Sequence, residues 1–312
     1  MSNKIKINWL NVVLDEEFQN CLDLESLKET SLLSKIVREK SKPSLFKHIE
    51  FSARGFISIF KDSCSIFNEY FNHNLSSDVD SNTSDDLKIY IIEEGLREIN
   101  FALNGIRAYA KSFYLHKVDK AGYHLFPIIN KFDTLTSLLL EDCYFEFSVY
   151  SKLGELLPNL VCVEFSDVIF AKLVDDNTSK NDIIFPPGIK RLVFDECDMS
   201  TTELASYTFD FLFGDNIDYS TMSDFILPKV SIPSLIELIF YVDGNESDFE
   251  LDKFLEANPK LESLSIDYFK SDILKRLKSL KNLELWGEIF FYTLTTTIYM
   301  KKSKECAYCA QT

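Results

Sequence analysis

The chain has 312 residues, of which 46% are hydrophobic, 14% aromatic and 26% charged, with only 9 Gly and 8 Pro. That composition excludes wholesale disorder and collagen-like structure, and the length suits two ordinary domains or one elongated repeat array. With 33 Lys+Arg against 49 Asp+Glu the formal net charge is -16, which repels phosphate backbones and anionic headgroups; nucleic acid is not an expected partner, and basic partners are favoured.

Residues 1–6 carry positive charge, but no apolar run of signal-peptide length comes after them, so the chain reads as not secreted. Leu10, Val13, Leu14, Phe18 and Cys21 fall at i, i+3, i+4, i+8 and i+11, the stripe of one helix. Asp23 offers an N-cap for a second short helix carrying Leu24 and Leu27. Leu32, Leu33, Ile36 and Val37 form a third apolar stripe, with Pro43 as its stop. Three short helices over 1–45 bury too little to stand alone comfortably, so they should pack on the neighbouring part of the chain or on a partner.

Phe46-Ile49-Phe51 reads as a degenerate strand, residues 56–70 as a helix, and 72–86, dominated by Ser, Asp and Asn, as a solvated loop. Six later segments place apolar residues at positions 1, 4 and 6: Leu96-Ile99-Phe101, Leu135-Leu138-Leu140, Leu160-Val163-Phe165, Ile189-Leu192-Phe194, Leu235-Leu238-Phe240 and Leu261-Leu264-Ile266. Leu280-Leu283-Leu285 is a weaker seventh. In a strand, positions 4 and 6 share a face and point into a core, while 5 points outward. Burying three such side chains, at roughly 2 kcal/mol each, stabilises a unit only when a neighbouring unit covers them, so the units must stack.

The units recur at 25, 29 and 26 residues, and the gaps of 39 (96 to 135) and 46 (189 to 235) imply insertions or a decayed unit. Pro158, Pro186, Pro187, Pro233 and Pro259 stand before strands, where they end the preceding helix or loop. Position 9 is Asn104, Cys143, Val168, Cys197, Asp243 and Phe269 in the six units; a small polar group there can bond backbone where the chain leaves the strand.

Residues 288–312 depart from the repeat. Their most apolar stretch, Ile289 to Met300, holds twelve residues against the roughly 20 of a membrane helix, so no membrane span is expected. The ending Cys309-Ala310-Gln311-Thr312 behind Lys301, Lys302 and Lys304 has the layout of a prenylation box, with Gln311 where an aliphatic residue is usual. Seven scattered cysteines suit buried thiols in a cytosolic or nuclear protein. The four histidines have no partners at metal-ligand spacing, and the local signatures of hydrolases, nucleotide binders and metalloproteases are missing, so neither catalysis nor a metal or other cofactor is expected.

Just after the strands stand Glu141, Asp142, Asp167, Asp195, Glu196, Asp243 and Asp267. This acidic ladder reads either as the solvated loops of an acidic protein or as a rim that attracts a basic segment of a target. Lys190-Arg191 interrupts it, and pairing with Glu164 or Glu237 on neighbouring strands is the expected outcome.

The pattern L-x-x-L-x-L-x-x-(N/C), with Cys143 and Cys197 at its ninth position, resembles the leucine-rich repeat family. It implies an α/β solenoid of parallel strands and returning helices over 46–287. The text before it, from Leu10 through Leu22-Asp23-Leu24, then Leu33-Ser34-Lys35-Ile36-Val37-Arg38 and Ser41-Lys42-Pro43-Ser44-Leu45-Phe46, resembles an F-box running into such repeats. The resemblance implies a non-catalytic substrate receptor of an SCF-type ubiquitin ligase. Its F-box would dock a SKP-type adaptor, through Leu10, Leu14, Phe18, Leu24 and Leu27, and its repeats would hold a target protein. The open alternative is a plain binding scaffold whose first helices only cap the solenoid.

Overall fold

The computed structural model describes residues 8–55, 85–179, 182–202, 211–212, 222–241, 248–266 and 277–285. The expected helix over 56–70, all but the last two residues of the 72–86 loop, and the prenylation-like ending lie outside these residues.

Four short helices open the chain: α1 (Trp9–Leu14), α2 (Glu16–Asn20), α3 (Leu24–Ser31) and α4 (Lys35–Leu45). The single first helix expected from the Leu10 to Cys21 stripe is therefore two. Asp15 takes an extended conformation and its carboxylate accepts the Phe18 N–H at 3.0 Å, so the same residue ends α1 and caps α2. Asp23 caps α3 as expected, accepting the Ser26 N–H at 2.8 Å. Pro43 is not a stop but lies inside α4. In the last turn its missing N–H removes one bond only, and the Phe46 N–H still reaches Lys42 O at 3.0 Å. The face that α4 buries carries Val37 and Ser41; Leu32, Leu33 and Ile36 are exposed.

After β1 (His48–Ser52), the chain forms α5 (Asp85–Asn104), β2 (Ser112–Asp119), α6 (Ala121–Ile129), β3 (Ser137–Glu146), α7 (Phe147–Ser151), α8 (Leu153–Leu156) and β4 (Cys162–Leu173). Next come β5 (Arg191–Asp195), β6 (Asp198–Thr202), β7 (Met222–Asp224), β8 (Glu237–Tyr241), α9 (Asp248–Ala257), β9 (Ser263–Ile266) and β10 (Asn282–Leu285). The strands make one ten-stranded, mostly parallel sheet in the order β1-β2-β3-β4-β5-β8-β9-β10, with β6 beside β4 and β7 antiparallel to β6. The fold is α/β, and among the described residues no helix is long and apolar enough to cross a membrane.

One register runs through the eight strands of the main path. Position 4 of each unit lines up as Ile49, Phe113, Leu138, Val163, Leu192, Leu238, Leu264 and Leu283, and position 6 is in step two residues on. The second position supplies the joint. The carbonyls of Lys47, Lys111, Thr136, Val161, Lys190, Ile236 and Glu262 each accept two successive N–H groups from the next strand's entrance, at 2.7–3.2 Å. A carbonyl has two lone pairs, so each entrance is satisfied without a side chain.

The unit expected at Leu96-Ile99-Phe101 is wrong: those residues belong to α5. Ile92, Leu96, Ile99 and Leu103 follow the i, i+4, i+7, i+11 helical period and face the core, whereas Phe101 is 83% exposed. The true unit is Ala110-Phe113-Leu115, whose small first residue conceals it in the sequence; it restores a 25-residue step to Leu135 and dissolves the 39-residue gap. Asn104 accordingly holds no ninth-position role. The 46-residue gap is an insertion, since β5 and β8 are direct neighbours and β6 and β7 lie between them in sequence.

Beyond the first five residues the strands turn a corner. Lys117, Asp142, Asp167 and Glu196, at equivalent positions, take φ of 53°, 50°, 51° and 49°, and β3, β4 and the β5–β6 pair then continue into a second short parallel ladder. Behind the corner lies an aromatic core. Phe145, Tyr150, Phe165, Phe170, Phe194 and Phe225 are all buried, with neighbouring ring centroids 4.6–6.5 Å apart.

Candidate surface for protein recognition

Because positions 4 and 6 face the core with α6 packed behind β2 and β3, positions 3, 5 and 7 face the other way and most are half-exposed. On that face Leu139, Val193 and Ile239 interrupt polar clusters. Arg191 donates Nε to Glu164 Oε1 at 3.2 Å and Nη1 to Glu237 Oε1 at 2.8 Å, the pairing expected from sequence. Burial opposes its charge, but the bond to Glu237 and the two carboxylates outweigh that and raise its pKa. Cys162 donates its thiol to the same Glu164 oxygen at 3.3 Å; burial, then that carboxylate, push it up to about 11, so it is no nucleophile at neutral pH. Tyr114 donates its hydroxyl to Glu141 and stacks at 4.4 Å on His116, whose Nε2 lies 3.0 Å from Glu50. These pairs spend the face's charges on one another.

At the corner carboxylates crowd together. Of the seven rim residues expected from sequence, Asp243 and Asp267 lie outside the described residues, and the other five gather at the strand ends. Glu141 and Asp195 occupy position 7, while Asp142, Asp167 and Glu196 occupy the exposed left-handed position 8. Asp tolerates that backbone region better than most residues, which gives Asp142 and Asp167 a structural reason to be where they are. Their charges still accumulate. Burial, then the charges of Asp119 and Asp167, raise the pKa of Asp142; burial, then Asp167, raise that of Asp195 despite a bond from the Ser166 hydroxyl at 3.4 Å. Below the corner the ninth-position thiol of Cys197 is buried and lies 3.5 Å from Phe165 O, and burial pushes it up to about 12.

Carboxyls whose pKa is raised by folding bind protons more tightly in the folded chain, so they lower stability as pH climbs out of the usual carboxylate range near 4. The double variant Asp142→Asn/Asp195→Asn is expected to melt higher than the wild type at pH 7, with the margin shrinking as the pH falls to 4. Melting temperatures across pH 4–8 check this, and a margin independent of pH would assign the gain to something other than charge.

The helical end is apolar instead. Trp9, Leu10, Leu24, Leu32, Leu33 and Ile36 supply six of the twelve exposed large hydrophobic residues found among the described ones, all within the first four helices and their short links. Of the five residues expected to meet an adaptor, Leu10 and Leu24 are exposed and Leu14 and Phe18 half-buried. Leu27 is a correction: at 4% exposure it is buried, in a helix that packs against α4, and it offers a partner no surface. Trp9, Leu32, Leu33 and Ile36 belong to this surface although the sequence pattern does not assign them to it. A signal for the last three is present, since Leu32-Leu33 sits before the Ser34 cap and Ile36 lies one residue off the Val37–Ser41 face. No known family model and no curated protein matches the chain.

Proposed function

We propose that the chain is a leucine-rich repeat solenoid with an F-box-like start, and that it acts as the non-catalytic substrate receptor of an SCF-type ubiquitin ligase. The observation that carries this reading is the apolar surface of the first four helices. Large exposed hydrophobic residues at this density are costly in a free monomer and mark a protein-binding surface. Leu10 and Leu24, joined by Trp9, Leu32, Leu33 and Ile36, dock the SKP-type adaptor; Leu27 holds the module together from inside. The stacked parallel units support the solenoid, and the acidic corner suits a target with a basic segment, charge setting capture rate and partner choice more than affinity.

Leu24→Asp and Leu33→Asp, both at exposed positions, are expected to weaken capture of the adaptor by the full chain at least ten-fold while the melting temperature stays within about 2 °C. Co-expression pull-down followed by titration checks it. The alternative, a plain scaffold whose helices only cap the sheet, draws on the packing of α4 against the 3-10 turn Arg107–Tyr109. It requires that neither the wild type nor the variants bind the adaptor.

A further inference from the structure

The longest strand, β4, runs past its corner to Leu173, and the chain then turns back over residues 174–179. Two carboxylates hold that turn's backbone. Asp176 Oδ1 accepts the Thr178 N–H and Asp182 Oδ2 the Ser179 N–H, both at 2.8 Å. Lys172 Nζ donates to Thr178 O at 2.7 Å and stands 5.7 Å from the centroid of the Phe147 ring. Between the turn, α7 and β6 lies a cavity of about 330 Å³, with an apolar floor of Phe147, Met199 and Ile226 and a polar rim of Lys172, Asn177, Thr178 and Ser179.

We propose that this cavity binds a small monocarboxylate, its carboxylate on the Lys172 ammonium and rim hydroxyls and its apolar body on Met199 and Ile226. Three properties lead there. The volume falls at the lower end of small-molecule sites, and the lining has their usual make-up, an apolar floor with a few convergent polar groups. The ammonium carries three donors and uses one on a neutral carbonyl; it has no carboxylate partner among the described residues. In a chain of net charge -16, an ammonium that faces a concave site and has no counter-ion among the described residues is where an anion gains most. One cation beside Asp176 and Asp182 matches a single negative charge better than a phosphate dianion. This site is separate from the apolar helices, and its existence does not depend on adaptor binding.

Ligand-observed NMR titration of the full chain with benzoate, benzyl alcohol and phenyl phosphate tests the proposal. Benzoate is expected to bind saturably, at least ten-fold tighter than benzyl alcohol and tighter than phenyl phosphate. Lys172→Met, which keeps the apolar stem and removes the charge, is expected to bring benzoate down to the level of benzyl alcohol. Met199→Trp, which fills the floor from the opposite wall, is expected to abolish binding of both, so the test does not hang on one variant; melting curves without ligand verify that each is folded. No saturable benzoate binding, or an advantage over benzyl alcohol that survives Lys172→Met, overturns the site. Phenyl phosphate binding more tightly than benzoate overturns the monocarboxylate assignment.

Discussion

Phe165→Ala is expected to destabilise the fold by about 4 kcal/mol, while Phe101→Ala changes stability by less than about 0.5 kcal/mol. Both phenylalanines occupy the sixth place of the same written pattern. Phe165 is fully buried, with the rings of Phe145, Tyr150, Phe170 and Phe194 at 5.8, 5.8, 5.3 and 5.4 Å, so truncation leaves a cavity whose walls are held by both parallel ladders and cannot collapse. Phe101 projects from α5 into solvent and has little to lose. Urea unfolding of the pair measures the contrast directly. Equal losses would mean that the α5 assignment is wrong and that Leu96-Ile99-Phe101 is a strand after all.

A second large loss is expected at a polar residue. Asn258 is 4% exposed at the end of α9, where its Oδ1 accepts the Ile232 N–H at 2.6 Å and its Nδ2 donates to Val230 O at 2.9 Å and Phe254 O at 2.8 Å. One amide thereby ties the entrances of β8 and β9 together. Asn258→Ala strands one buried N–H and two carbonyls, and about 3 kcal/mol of destabilisation is expected once partial hydration is allowed for. Asn258→Asp keeps the acceptor but turns the donor into a carboxylate facing two carbonyls, so it should fare no better. Chemical denaturation of both variants checks this, and a wild-type midpoint for Asn258→Asp would show that the two donated bonds contribute nothing.

Spacing makes most of the ladder readable. The 1-4-6 pattern marks seven of the eight strands of the main path, including the weakly written Phe46-Ile49-Phe51 and Leu280-Leu283-Leu285. The pattern fails where its first interval, i to i+3, is also a helical interval, as at Leu96 and Ile99, and where a small residue such as Ala110 fills the first place. The corner is legible only as acidity. Nothing in the spacing of Asp142 and Asp167 announces a positive φ, because that conformation arises from how the strand must bend to join its second ladder. Among the helices, Val37 belongs to a readable apolar stripe, whereas the outward face of Leu32, Leu33 and Ile36 depends on where Ser34 starts α4, a matter of one residue of phase. The cavity beside Lys172 is not legible at all, since its walls come from α7, β4, β6 and a later loop.

The unequal spacing of partners along the sheet bears on the order in which it assembles. Phe113 meets Leu138, and Leu138 meets Val163, across 25 residues each, whereas Ile49 must find Phe113 across 64. Closing the longer loop costs about 0.8 kcal/mol more in chain entropy, and among the described residues β1 pairs with one neighbouring strand. The first strand is therefore the last to zip and the first to peel, and the helical module that precedes it is tethered at the loosest joint of the ladder. Force applied to the module by a bound partner would be absorbed by opening β1 before it reached the aromatic core.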